Sequence, residues 1–231
     1  MPPLTKRTTT RPDRPLLALL FDVDGTLVDS NDAHAWSWID ALREAGIHVD
    51  FATVRRLIGM GGDKLLPRVS GLPAESEAGK RIVKRRSEIF RAAYLGRVRA
   101  FPGARELFEA LADDGVPRAV ASSARQDELE PLLAIAGVND FLEHKTSSSD
   151  VESSKPDPDV VHAALDRLGV PPSSARLVGD TPYDLEAARR AGVGFVGFRC
   201  GGWSDAELAG ALAIFDDPAA MLATCAWRAW R

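Results

Sequence analysis

Two aspartates one residue apart open a short polar run, Asp22-Val23-Asp24-Gly25-Thr26, directly behind the apolar stretch 16–21. Three more polar stations follow later in the chain: Ser122-Ser123, Lys155-Pro156, and Gly179-Asp180-Thr181 with Asp184 one helical turn on. Four carboxylates gathered at one place repel one another unless a cation lies between them. Ligands that are all oxygen, with no His or Cys among them, select a hard ion, and Mg²⁺ is the usual one in phosphate chemistry. A lysine and hydroxyl donors beside that ion would neutralise a transferring phosphoryl group. One carboxylate can then attack as a nucleophile through an aspartyl-phosphate, and a second close by is placed for general acid–base work. Any one of these aspartates is as well explained by a loop cap or a turn. The set is not, because its members follow successive strands at their carboxyl ends, where open α/β sheets bind ligands.

Those strands are read from continuous apolar runs, which suit strands buried on both faces of a parallel sheet. They lie at 16–21, 116–121, 175–178, 194–198 and 212–215. Helical patterns separate them. Ala104, Leu107, Phe108 and Leu111 keep a helical spacing that Gly115 stops; Val161, Ala164, Leu165 and Leu168 do the same between Pro158 and Gly169. Strands alternating with helices predict an α/β fold, a doubly wound, Rossmann-like parallel sheet with right-handed crossovers. One interval breaks the rhythm. Between the first strand and the second lie about 95 residues, several times what a crossover needs. This stretch reads as helices, with stripes at Ala35, Trp38, Ile39 and Leu42 and at Ile82, Ile89, Phe90 and Tyr94, around a Gly-Met-Gly-Gly turn at 59–62. The expected organisation is an arm over 1–15, rich in Pro, Thr, Lys and Arg; a core of 16–30 and 100–231; and an inserted all-helical cap over 31–99.

The chain has 231 residues and a formal charge of −4. Residues 32–100 carry 13 Lys or Arg against 8 Asp or Glu, so the cap is positive over a negative core. That polarity suits an anionic substrate with a cation between the two parts, although Lys80, Arg81, Lys84, Arg85 and Arg86 read as solvated surface. The acidic balance argues against nucleic acid as a partner. No apolar run approaches a membrane span, and the 16–21 run meets Asp22 and Asp24, as a secretory signal would not. Cys200 and Cys225 form no CxxC pair and read as free thiols of a cytoplasmic protein.

Taken in order and spacing, Phe21-Asp22-Val23-Asp24-Gly25-Thr26-Leu27-Val28-Asp29-Ser30, Ser122, Lys155-Pro156 and Gly179-Asp180-Thr181-Pro182-Tyr183-Asp184 resemble the haloacid dehalogenase superfamily of phosphotransferases. The resemblance implies that Asp22 is the nucleophile and Asp24 the acid/base. It implies that Gly25, Thr26, Ser122, Ser123 and Lys155 surround the phosphoryl group. Mg²⁺ would be held by Asp22, the backbone carbonyl of Asp24, and Asp180, with Asp184 an orienter or a ligand through water. The insert corresponds to that family's helical cap.

Within the family, a carboxylate at Asp24 is the mark of phosphatases and phosphomutases. His34 and Trp38, one turn apart, resemble a His-x-x-x-Trp signature of β-phosphoglucomutases and related sugar phosphatases. Gly179-Asp180, where mutases tend to show Glu-Asp, and a 59–64 loop without their arginine look more like phosphoglycolate phosphatases. Lys64 is the residue of that loop expected to touch the leaving group. The reading is a Mg²⁺-dependent hydrolase of a small phosphorylated metabolite. A β-phosphoglucomutase-like mutase is the alternative, and a non-catalytic binding protein with the same fold a third. The sequence does not name the ester or the oligomeric state.

Overall fold

A computed structural model describes residues 17–142, 144–148 and 151–230; the arm expected over 1–15 lies outside them. The first strand, β1 (Ala18–Phe21), is buried along its whole length. Leu19 and Phe21 join one apolar cluster, Ala18 and Leu20 another, so both faces of the sheet are covered. That is why β1 reads as an unbroken apolar run rather than an alternating one. The other strands are β2 (Arg118–Ala121), β3 (His144–Thr146), β4 (Ala175–Gly179), β5 (Gly194–Phe198) and β6 (Ala213–Phe215). All pair in parallel, in the order β3-β2-β1-β4-β5-β6.

The helices between and after the strands are α5 (Ala104–Asp113), α6 (Gln126–Ala136), α7 (Asp159–Leu168), α8 (Pro182–Ala191) and α9 (Pro218–Thr224). Helices α5, α6 and α9 supply Leu107, Leu132 and Met221 to one face, while α7 and α8 supply Val161 and Ala188 to the other. The expected doubly wound parallel sheet is the fold observed. Its strand order reverses at β1, the switch point beside which such sheets open a crevice. Register then sets the site. Phe21 lies level with Val120 of β2 and Val178 of β4, and Asp22 N–H donates to the Val178 carbonyl at 2.9 Å. Asp22, Ser122 and Asp180 therefore leave the sheet at nearly one height.

The long interval folds as α1 (Asn31–Glu44), α2 (Phe51–Arg55), α3 (Gly62–Ser70) and α4 (Glu77–Ile89), followed by a π-turn at 90–94. Both predicted stripes contribute to its own cluster, in which Ala35, Trp38, Leu42, Ile82 and Ile89 are buried. Phe90 departs from its stripe. It is fully buried in the sheet-side cluster instead, because the π-turn shifts the face that residues 90–94 present. A seam of polar contacts joins the insert to the core. Arg86 pairs with Glu128, Arg91 with Asp127, and Arg56 with Glu207. The Arg56 guanidinium also lies over the Trp203 ring, 3.8 Å from its centroid.

Candidate active site

The side chains of the first polar run are aimed by a tight turn. Gly25 takes φ +77°, a left-handed conformation open to glycine, and a Cβ there would run into the Asn31 amide and the Asp180 carboxylate. Ser30 stands at the N-cap of α1 but makes no side-chain cap. Its hydroxyl donates instead to Asp24 Oδ1 at 2.5 Å, where His34 Nε2, from the first turn of α1, also arrives at 2.8 Å. The His34 ring is buried and stacked on Phe90, centroids 4.1 Å apart. Asp24 is thus held by Ser30, the last residue before the insert, and by His34, one helical turn on within it.

Asp22 belongs to a second, deeper web. Lys155 is fully buried and its Nζ sits 2.6 Å from Asp22 Oδ1 and 2.7 Å from Asp184 Oδ1. Asp184 Oδ2 accepts from Thr181 N–H at 3.0 Å and from its hydroxyl at 2.6 Å, within a capping box that starts α8. Thr26 Oγ donates to Asp180 Oδ1 at 3.0 Å, and Asn31 Nδ2 to Asp180 Oδ2 at 3.0 Å. Asp22, Asp180 and Asp184, all buried, bring carboxylate oxygens within 4.8 Å of one another.

The electrostatics follow from that crowding. Burial pushes the Asp22 carboxyl up to about 7; Lys155 opposes the shift, while the charges of Asp184 and Asp24 add to it. Asp180 is pushed well above the ordinary carboxylate range, by burial first and then by Asp184 and Asp22. Lys155 is raised: burial alone would lower it, but Asp184 and Asp22 more than offset that. Asp24 moves the other way. Burial works against ionisation there too, yet the charge and hydrogen bond of His34, the Ser30 hydroxyl and the charge of Arg86 hold it below its usual value. Two neighbouring carboxylates thus have environments that push them apart, the pattern by which acid and base roles are divided.

Residues 19–198 match the family model described as "Haloacid dehalogenase-like hydrolase". The chain belongs to the haloacid dehalogenase-like hydrolase family. It is 34% identical over 214 residues to a phosphoglycolate phosphatase of Rhodospirillum rubrum, covering 88% of each chain. It is 31% identical to the validoxylamine A 7'-phosphate phosphatase of Streptomyces hygroscopicus subsp. limoneus, over 77% of this chain and 83% of that one. The crystal structure of a hydrolase from Pseudomonas syringae superposes with a TM-score of 0.85 at 30% identity, covering 91% of this chain and 98% of that one.

Against that family frame, several residues lie elsewhere than the sequence suggested. Lys64 was expected to touch the leaving group. Its ammonium is bound instead to Asp157 at 2.5 Å, a carboxylate shared with Arg190, so it joins the insert to the core. The small chamber over Asp22 and Asp24 is walled on the insert side by Ile58, Gly59, Met60 and Gly61, with His34, Trp38 and Arg86. Arg86 is the second correction. It is no solvated arginine: its side chain is 12% exposed, paired with the fully buried Glu128. Ser122 is buried, and its Oγ accepts Ala124 N–H at 3.0 Å; the chamber wall on that side is Ser123 and Ala124.

Sequence reasoning gave no role to Ser30, Asn31, Arg55 or Glu128, and placed Arg86 on the surface. Ser30 and Asn31 sit where a helix begins and read as ordinary caps. Arg55, which donates to the Gly201 carbonyl at 2.7 Å, and Glu128 find partners 146 and 42 positions away, with no local signal. His34 did carry a signal, its spacing from Trp38.

Removing Lys155 leaves Asp22 and Asp184 buried without their cation. Lys155→Met is expected to destabilise the metal-free protein by about 3–5 kcal/mol, the usual cost of breaking one side of a buried ion pair. Urea unfolding followed by circular dichroism measures it; an unchanged midpoint would mean the ammonium contributes nothing to the fold.

Proposed function

We propose that this chain is a Mg²⁺-dependent phosphomonoester hydrolase of small phosphorylated metabolites, acting through an aspartyl-phosphate on Asp22 with Asp24 as general acid and base. The observation that carries the reading is the buried web in which Lys155 bridges Asp22 and Asp184 beside Asp180. The trio also passes a test of fit for a hard divalent cation. Its donors are all oxygen, and Asp22 and Asp180 are both pushed up, by burial first and then by the neighbouring carboxylates. Asp22 and Asp180 would hold the ion, together with the Asp24 carbonyl, and Asp184 would orient the set. When bound, the ion supplies positive charge against the oxygens of the transferring phosphoryl group.

The chain's own residues do the rest. An Asp22 carboxylate oxygen attacks phosphorus as the bond to the leaving oxygen breaks, and Asp24 gives that oxygen the proton it took from water in the preceding turnover. Asp24, now a carboxylate held by Ser30 and His34, takes a proton from water as the water attacks the aspartyl-phosphate, releasing phosphate and restoring Asp22. Lys155 balances charge on Asp22 throughout. Hydrolysis rather than mutase chemistry is supported by the two phosphatase relatives. It is supported also by Lys64, whose ammonium is spent on Asp157 rather than free for a second phosphate.

Release of nitrophenol from p-nitrophenyl phosphate tests the reading. Turnover should need Mg²⁺, cease with a chelator and return when Mg²⁺ is restored. A thermal shift gives a readout independent of turnover: Mg²⁺ should raise the Tm of the chelated protein, because it relieves three crowded carboxylates. Asp180→Asn should raise the metal-free Tm and lose the response to Mg²⁺. Full activity after exhaustive chelation would overturn the metal assignment.

A further inference from the structure

Beside the chamber over Asp22 and Asp24, about 30 Å³ and room for one water, a cleft of about 630 Å³ opens between the insert and the core. Trp38, Arg86 and Ser123 line both, and so form the neck between them. Among the described residues, two buried polar atoms at this neck have no hydrogen-bond partner: Arg86 Nε and Ser123 Oγ. Buried donors in a native fold are nearly always satisfied, so two orphans at one constriction call for an explanation. A ligand threading the neck, its phosphoryl group over Asp22 and its remainder in the cleft, would offer acceptor oxygens to both.

Arg86 is held for that task from the opposite side of the seam. Glu128 of α6 is fully buried and receives Arg86 Nη1 at 2.7 and 2.6 Å on its two oxygens. It also accepts the Ser87 hydroxyl. The guanidinium is therefore fixed by the core although it belongs to the insert, and its Nε–H is a buried donor left uncommitted among the described residues.

The cleft restricts what lies beyond the neck. Its volume is that of a typical small-molecule site and far exceeds what a two-carbon acid fills. Its wall mixes charges, with Lys80 and Lys84 facing the same space as Glu75 and Glu152. A second phosphate would meet the carboxylates, whereas hydroxyl groups use donors and acceptors alike. We infer that the neck of Trp38, Arg86 and Ser123, with Arg86 positioned by Glu128, recognises the leaving group of the ester. The class it fits is a neutral polyhydroxylated one of sugar or cyclitol size. This rests on the phosphatase reading above.

The experiment measures kcat and KM for glucose 6-phosphate, myo-inositol 1-phosphate, 2-phosphoglycolate and p-nitrophenyl phosphate, in the wild type and in Arg86→Lys and Glu128→Gln. The wild type should favour at least one polyhydroxylated ester over 2-phosphoglycolate by about tenfold or more in kcat/KM. Each variant should lower the ratio of that ester's kcat/KM to that of p-nitrophenyl phosphate by about tenfold, through KM rather than kcat. A wild-type preference for 2-phosphoglycolate overturns the class. Losses that are proportional across all four esters overturn the neck, since they would place it on the shared phosphoryl group. Titration calorimetry of glucose 6-phosphate and myo-inositol 1-phosphate into Asp22→Asn separates the two readings. Binding weakened by Arg86→Lys, where the wild-type protein hydrolyses none of the four esters, would keep the neck and sink the phosphatase. Hydrolysis of p-nitrophenyl phosphate with no binding of either polyol ester would do the reverse.

Discussion

Asp22→Asn is expected to reduce Mg²⁺-dependent release of phosphate from p-nitrophenyl phosphate by on the order of 10³-fold or more, the scale on which loss of a covalent nucleophile is felt. The amide keeps the shape of the side chain but cannot attack phosphorus, and it is a poorer cation ligand. The fold should survive. Lys155 keeps Asp184 at 2.7 Å as a partner, and one of three mutually repelling carboxylates has been neutralised. Far-ultraviolet circular dichroism and the melting temperature therefore accompany the assay, and the Tm should fall by a few degrees at most. Turnover within tenfold of the wild type in a folded Asp22→Asn protein would remove this aspartate from the role of nucleophile. Nothing else in the web then replaces it: Asp184 is committed to Thr181 and Lys155, and Asp180 to Thr26 and Asn31.

What could be read from the chain and what could not divide along a physical line. A strand buried on both faces must be apolar throughout, so β1, β4 and β5 were visible as runs and their carboxyl ends could be searched for polar residues. The edge strand β3, His-Lys-Thr, has no such pattern, because it pairs on one side alone and carries polar residues. It was missed, though it gives the Thr146 carbonyl that accepts Ser122 N–H at 3.1 Å. The insert was legible by its length and its helical stripes. How it docks was not, since Lys64–Asp157, Arg86–Glu128 and Arg55–Gly201 join residues 93, 42 and 146 positions apart. Among basic residues, periodicity separates face from face but not a solvated arginine from one that a buried carboxylate awaits. Arg86 and its neighbour Arg85 look alike in the sequence, yet Arg85 pairs on the surface with Glu44 of α1 while Arg86 meets the buried Glu128 of α6.

Asp24→Asn should lower steady-state turnover by about 10²–10⁴-fold, the usual contribution of a positioned acid or base, and should do so unequally across the two steps. Nitrophenolate leaves without needing a proton, so attack by Asp22 on p-nitrophenyl phosphate can proceed. The second step cannot, because water must be deprotonated and an amide at position 24 accepts nothing. Mixing the variant with excess p-nitrophenyl phosphate should therefore give a burst of nitrophenol approaching one per protein, then a slow phase, with phosphorus retained on the protein. An alkyl phosphate, whose leaving oxygen does need the proton, should give no burst. Asp24 is prepared for the second step by Ser30 and His34, which keep it ionised against the effect of burial. His34→Ala removes one of those donors and leaves the carboxylate in place. It should slow release of phosphate more than it slows the burst, with the largest deficit on the acid side of the pH profile, where a carboxylate drawn up by burial is protonated first. Equal slowing of the two phases at every pH would mean that His34 supports the fold of α1 against Phe90 and does not act through Asp24. A variant Asp24→Asn that turns over steadily, with no burst, would show that the base for the second step is some other group.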